Sequence, residues 1–590
     1  MKSFFKYTLA TIVGIFLASI LMFFFSMLII NSIVAMQEKP TELKPNSVLS
    51  LELRNEILDR TVEDPIANFD PITFETEKKI GLNSLLENID KAADNAMIDG
   101  IYLNLSDIQA PWATVQEIRN ALADFKLSGK FVYAYSEYLT QKAYYLASVA
   151  DEVYMNPEGM LEWTGLRSEV LYFKNALDKL GIDATVVRHG KFKSAAEPFV
   201  SDNMSVENEE QIELFLNSLW ENILTSIAEN RALESSKLDA LAGDLSIVKD
   251  INNAVEEGLI DGVKYYDEVL ADLKELTGSK DVKSIRKVTY AAMQKVPKNR
   301  EFKGLAKEKI AVVYAQGNIV PGEAQEGFIG SERISKAIRE ARLDSTIKAI
   351  VFRINSGGGS ALASEVIWRE LKLASEEKPV IASMGDYAAS GGYYAITHAD
   401  KIIASPNTIT GSIGVFALLP NGRELMNEKL GINVEVVRTN PSADFASIFR
   451  PLSRSEQEAV KHQIESIYST FINHVAEGRE LTMEYVDSIA QGRVWDAVHA
   501  KELGLVDELG GLERAIELAV EASGLEQYRI VDLPKLEDPF ELLIKRLSGE
   551  VKTRQLKNHL GTLYPYIEQL KLLTESQNVQ ARMPFVMDIY

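Results

Sequence analysis

Apolar and polar positions change their period several times along the chain, and each change marks an element. The first stretch has no period at all. Tyr7–Ala35, YTLATIVGIFLASILMFFFSMLIINSIVA, runs 29 residues without a charge. A bilayer core takes ~20 apolar residues as a helix, and a cleaved leader has an apolar core of only ~7–15. A retained single-pass anchor is therefore expected over 7–35. Lys2 and Lys6 precede it, which puts residues 1–6 in the cytoplasm and the bulk of the chain outside. From Ser47 the pattern becomes regular. SVLSLEL alternates like a strand, LNSLLENIDKAAD has helical spacing, and IDGIYLNL is a short apolar run. VQEIRNALADF, KFVYAYS and QKAYYLASVAD then read helix, strand, helix. Strands alternating with helices predict an α/β fold with a largely parallel sheet.

The same order returns 249 residues later. Ile98-Asp99-Gly100-Ile101 faces Ile347-Lys348-Ala349-Ile350, Tyr144-Tyr145 faces Tyr393-Tyr394, Pro157 faces Pro406 and Gly165 faces Gly414. With one extra residue, Val186-Val187-Arg188 faces Val436-Val437-Arg438. A tandem duplication explains this. It divides the chain into a first repeat (46–277), a lysine-rich interdomain segment (278–309), a second repeat (310–530) and an extension (531–590). In and before that extension IVDLPKL reads as a strand, ELLIKRLSGEV and HLGTLYPYIEQLKLLTES as helices, and MPFVMDI as a final strand. The helices are expected to pack between subunits.

The repeats differ chemically. Ser390, in MGDYAASGGYY, faces Gln141, and Gly391-Gly392 face Lys142-Ala143. Gly357-Gly358-Gly359 face Ile108-Gln109-Ala110. Conversely, RHGKFKSAAEPF in the first repeat carries Lys191 and Lys193, whereas the matching RTNPSADFASIF puts Ala443 opposite Lys193. Each repeat has lost what the other keeps.

Composition narrows the chemistry. A chain of 590 residues needs more than one core, and 46% hydrophobic with 25% charged residues describes a folded protein. A net charge of −22 leaves no positive footprint for nucleic acid. The absence of cysteine removes disulfides, thiol catalysis and cysteine-ligated zinc, and no cofactor or metal is expected.

Ser390 is a candidate nucleophile, because small neighbours admit a substrate backbone and glycine N–H groups stand beside its hydroxyl. The plain alternative is a tight strand-to-helix turn. A serine needs a base. Of six histidines, His398 follows Ser390 by eight residues, more than two turns along one helix. A lysine serves if burial keeps it neutral. Lys193, embedded in Ser-Ala-Ala and Pro-Phe, fits that requirement, although a surface-loop lysine reads the same way in isolation. A Ser390–Lys193 pair across the repeats accounts for both losses together. The glycine loop in RINSGGGSALASEVI follows a strand and precedes a helix near Ser360. Its spacing matches neither the P-loop nor the dinucleotide fingerprint, so a backbone oxyanion site is the better functional reading.

These motifs, with ASPNTITGSIGV and HGKFKSAAEPF, closely resemble the signal peptide peptidase A (SppA) family in its long tandem-repeat form, serine peptidase family S49. The resemblance covers essentially the whole chain. It implies two Clp-protease/crotonase-like α/β domains after one transmembrane helix. It implies Ser390 as nucleophile, Lys193 rather than Lys191 as general base, and Gly359 and Gly391 as oxyanion donors with Gly358 adjoining. Ser412 in TGSIG is a candidate for orienting the lysine. The resemblance also implies cleaved signal peptides and other apolar unfolded segments as substrates. A homotetramer is implied as well, on the periplasmic face of a bacterial inner membrane. One departure stands out: the family commonly has N-S-P-G-G where this chain has Asn355-Ser356-Gly357-Gly358-Gly359, which predicts a more flexible loop. A crotonase-type acyl-CoA enzyme and an inactive peptide-binding membrane scaffold are the rival readings. The first needs neither the split serine and lysine nor an anchor.

Overall fold

The computed structural model describes residues 42–60, 79–297, 306–324, 327–536 and 579–583, with scattered helical positions between residues 4 and 24. Among the described residues no helix is long and apolar enough to cross a membrane. The expected anchor 7–35 lies largely outside them, as do both helices and most of the final strand expected in the extension.

The first repeat holds β1 (Ser47–Leu51), β2 (Ile98–Asn104), β3 (Phe131–Leu139), β4 (Glu152–Leu161), β5 (Asp183–His189), β6 (Gly262–Val263) and β7 (Arg286–Thr289). The second holds β8 (Lys309–Gln316), β9 (Asn318–Val320), β10 (Phe328–Gly330), β11 (Ile347–Ser356), β12 (Gly358–Ser360) and β13 (Val380–Ala389). It continues with β14 (Lys401–Ala404), β15 (Ile409–Gly411), β16 (Val415–Asn421), β17 (Val494–Asp496), β18 (Glu508–Leu509) and β19 (Arg529–Leu533). The extension adds β20 (Gln580–Arg582).

Each repeat builds its own parallel core sheet. The first runs β6-β4-β3-β2-β1-β7, and the second runs β17-β15-β13-β11-β8-β19, with β14 also beside β13 and β18 beside β14. Only the β15–β17 pair is antiparallel. Arg286–Thr289 thus closes the edge of the first sheet, although it falls in the stretch 278–309 expected to join the domains. Helices cover these sheets, so strands such as β11 (IKAIVFRINS) are buried at almost every position. Helix α1 (Leu82–Asp94) shows the complementary logic: Leu82, Leu85, Leu86, Ile89 and Ala92 recur at helical spacing and are all buried.

A third sheet joins the repeats, in the order β10-β9-β12-β20-β16-β5. Here β5 of the first repeat pairs antiparallel with β16 of the second, from Val415↔His189 to Asn421↔Asp183. A buried polar seam adds to the join. Helix α2 (Trp112–Lys126) of the first repeat places Thr114 N–H and Oγ1 each 2.8 Å from the Asp386 carboxylate. Glu117 lies 2.6 Å and Asp59 2.8 Å from Arg353 of β11, and all three are buried. Burial works against the Arg353 charge, but the two carboxylates hold its pKa above the ordinary value.

Candidate active site

Ser390 ends β13 and begins the short helix α3 (Gly391–Ile396). Its backbone stands at φ +55, ψ −116, a strained conformation for a residue with a Cβ, costing roughly 1–3 kcal/mol. Two hydrogen bonds enforce it: the Ser390 N–H donates to Gly411 O at 2.8 Å, and Tyr394 N–H donates to Ser390 O at 2.8 Å. Asn355 steadies the strand ends below, holding Asp386 at 2.9 Å and the Tyr387 N–H at 3.2 Å.

The pairing of β5 with β16 delivers the segment after His189 to this turn. Lys193 is fully buried, and its Nζ lies 2.7 Å from Ser390 Oγ, 2.9 Å from Ser412 Oγ and 3.0 Å from Ser412 O. Burial alone pushes its pKa well below the ordinary lysine value. Two glycines make room for its stem. A Cβ on Gly492 would lie 2.6 Å from Lys193 Cβ, and one on Gly414 would lie 3.2 Å from its Cδ. Lys191, by contrast, is exposed and rests its amine over the Phe192 ring.

The glycine loop lies on the other side of Ser390. Gly358 and Gly359 have φ +101 and +154, and a Cβ on Gly359 would strike Ile319 O at 2.1 Å. Gly358 N–H already donates to Ser356 Oγ at 3.1 Å, while Gly359 pairs with Ile319 of β9 on one side and Ala581 of β20 on the other. That same Ser356 contact pins the loop where proline is missing, and Gly357 O accepts the Met583 N–H at 2.5 Å. Gly357 itself is not left-handed.

The histidine alternative does not assemble. His398 lies beyond the end of α3, accepts from Trp368 Nε1 at 2.9 Å, and has its pKa lowered to about 4 by burial first and Lys372 second. In the first repeat, Gln141 plugs the position facing Ser390: its Oε1 accepts from Thr164 N–H at 3.1 Å and Gly165 N–H at 2.9 Å. Among the described residues no group of His, Asp or Glu is arranged to hold a metal ion.

A family model, peptidase family S49, matches residues 124–280 and 372–526, one match in each repeat. The chain belongs to peptidase family S49. Among curated S49-like relatives, Protease 4 of Salmonella typhi is 36% identical over 80% of this chain and 76% of its own length. The chloroplastic serine protease SPPA of Arabidopsis thaliana is 33% identical over 92% of this chain and 78% of its own. A solved ClpP1 mutant from Listeria monocytogenes matches 35% of this chain and 94% of its own at 18% identity, with a TM-score of only 0.24.

Within this S49 chain, sequence reasoning named Ser412, which touches Lys193 from the TGSIG turn, but missed Gly492. Gly492 sits in AQGRV, with no pattern around it. Its requirement comes from Lys193, almost 300 residues away in sequence.

Proposed function

We propose that the protein is a membrane-anchored serine endopeptidase working through a Ser390–Lys193 dyad. The observation that carries this is the 2.7 Å approach of a fully buried lysine, without a carboxylate beside it, to a serine hydroxyl in a strained turn. Neutral Lys193 takes the Ser390 proton as Oγ bonds to the scissile carbonyl carbon. Negative charge develops on the carbonyl oxygen and is met by the N–H groups of Gly359 and Gly391. As the C–N bond breaks, Lys193 returns the proton to the departing amine. Lys193 then takes a proton from water as its oxygen bonds to the acyl carbon, and returns that proton to Oγ as the C–Oγ bond breaks, which releases the acid and restores Ser390 and the neutral amine. Ser412 holds the amine through its hydroxyl and carbonyl oxygens.

The motif resemblance and the name of the Arabidopsis relative support the serine chemistry. An anchor over 7–35 with the domains on the periplasmic side fits substrates that stay in the same bilayer, namely cleaved signal peptides and other apolar unfolded segments. Exposed apolar side chains at Ile15, Phe16 and Leu21 support such a span.

Repeat symmetry supports assembly of several copies. The counterpart of β5 is 433–439 and that of β16 is 166–172. The first of these is exposed throughout, with Val437 fully so, and forms no strand. Carrying over the β5–β16 register sets Ser168 opposite Val437 and Leu171 opposite Val434 of a second copy. Such head-to-tail pairing repeats until a ring closes, and the family resemblance implies four copies.

Labelling with a fluorophosphonate tests the chemistry. Wild type is expected to label at Ser390, Ser390→Ala not at all. Lys193→Ala is expected to lose about a thousand-fold in peptidase kcat/KM, with Lys191→Ala near wild type. Full activity in Ser390→Ala overturns the proposal.

A further inference from the structure

The groove beside Ser390 is occupied by the chain itself. Strand β20 lies antiparallel to β12, with Gly358↔Arg582, Gly359↔Ala581 and Ser360↔Gln580. Its other edge meets β16 at Phe416↔Gln580. The pairing extends past both strand ends. Ala361 N–H donates to Val579 O at 3.5 Å, and Met583 N–H donates to Gly357 O at 2.5 Å. Residues two apart share one phase of an antiparallel ladder, so Ala581 and Gly359 stand in the hydrogen-bonded phase set by these flanking contacts.

The register brings a peptide carbonyl to the oxyanion donors. A methyl on Gly358 would strike Ala581 O at 2.2 Å and Gly391 N at 2.8 Å, and one on Gly391 would lie 2.9 Å from Ala581 O. Ala581 is fully buried, and Met583 packs in the same cluster as Ala389, the residue before Ser390. An extended strand between two sheet edges, with one carbonyl set against the Gly358–Gly359 backbone and beside Gly391, resembles the pose an acyl-transfer site requires of its substrate. A strand serving only to fill a sheet has no need to bring a carbonyl there.

We propose that Val579–Met583 is a resident peptide ligand of the Ser390 groove, seated as a substrate strand with Ala581 at the acyl position. It rests on the serine-peptidase reading for its name as a substrate strand, but not for its binding. Two consequences follow. Another peptide enters only when the segment leaves, because it holds the edges of both β12 and β16. The site also selects a small side chain at the acyl position, since Ala581 is enclosed there.

The magnitude is set by tethering. A segment at an effective concentration of about 1 mM, binding with a Kd of about 0.1 mM, weakens a competing peptide about ten-fold. The test uses the full chain carrying Ser390→Ala, so that nothing is cleaved, and a fluorescent peptide Val-Gln-Ala-Arg-Met read by anisotropy. Adding Ala581→Trp, which does not fit the enclosed position, or Met583→Pro, which removes the donor to Gly357 O, is expected to tighten peptide binding about ten-fold. A probe with Trp in place of its Ala is expected not to bind any of them. Equal affinity in all three proteins, or equal binding of the Trp probe, overturns the proposal. A second arm keeps Ser390: the same tail variants are expected to lower the KM for a short peptide about ten-fold, and an unchanged KM counts against it. Failure of fluorophosphonate labelling would strike the serine chemistry alone, since the anisotropy arm does not depend on it.

Discussion

A lysine enclosed by protein with no carboxylate beside it gives up its proton more readily than one in water, because burial penalises the ammonium. Lys193 is such a residue, and its pKa lies well below the ordinary value. Two measurable consequences have opposite flavour. For activity, the proposal that the neutral amine is the base makes kcat/KM fall as pH drops through that lowered value, so a pH–rate profile is expected to show one acid limb. For stability, the folded chain binds fewer protons here than the unfolded chain, so Lys193 costs stability below its unfolded pKa of ~10.4, and the cost fades as pH rises toward that value. Lys193→Met is therefore expected to be inactive yet more stable by about 1 kcal/mol at pH 7. The advantage shrinks at pH 10, read by denaturant melts of both proteins. Lys193 was legible in the sequence because the second repeat has Ala443 in its place, so comparing the halves singled it out. Ser390 was legible for the matching reason. Gly492 and Ala581 were not, because each is explained by a partner distant in sequence and neither lies in a turn or periodic signature of its own.

At the scale of elements, the join between repeats matters as much as either sheet. Helix α2 inserts Glu117 beside Arg353, whose strand β11 runs directly into the glycine loop. Glu117 also accepts the Leu512 N–H at 2.7 Å. Removing one partner from a buried ion group leaves charge without compensation, at a cost of about 3 kcal/mol. Glu117→Gln is expected to lose about that much in chemical unfolding, and to lower kcat as β11 shifts the loop. A variant as stable as wild type would show that Asp59 alone suffices for Arg353. The alternation of strand and helix was plain from periodicity, and α1 occupies the very stretch LNSLLENIDKAAD that predicted it. The edge strand β7 was hidden because four residues, Arg-Lys-Val-Thr, carry too little pattern to stand out from a lysine-rich segment. No periodicity foretold β20 either, since a three-residue strand takes its conformation from the edges that flank it.

For the whole molecule, the repeat pairing divides any ring into two kinds of seam. Inside a chain, β5 meets β16 and brings Lys193 to Ser390. Between chains, the same geometry would bring the Ala443 side to Gln141, so that seam holds copies together without chemistry. Val437→Asp is expected to break the second kind only: light scattering should report single chains, while fluorophosphonate still labels Ser390. Assemblies of unchanged mass would place the contact elsewhere. The split of the site between repeats also bears on synthesis. Lys193 is translated 197 residues before Ser390, and the strand that fills the groove, Gln580–Arg582, is added after both. A ribosome that stalls between the two releases a product with the lysine and without the serine. The nascent chain thus holds no Ser390–Lys193 pair until the second repeat is under way, and the segment that covers the pair arrives only after the whole of that repeat has been made.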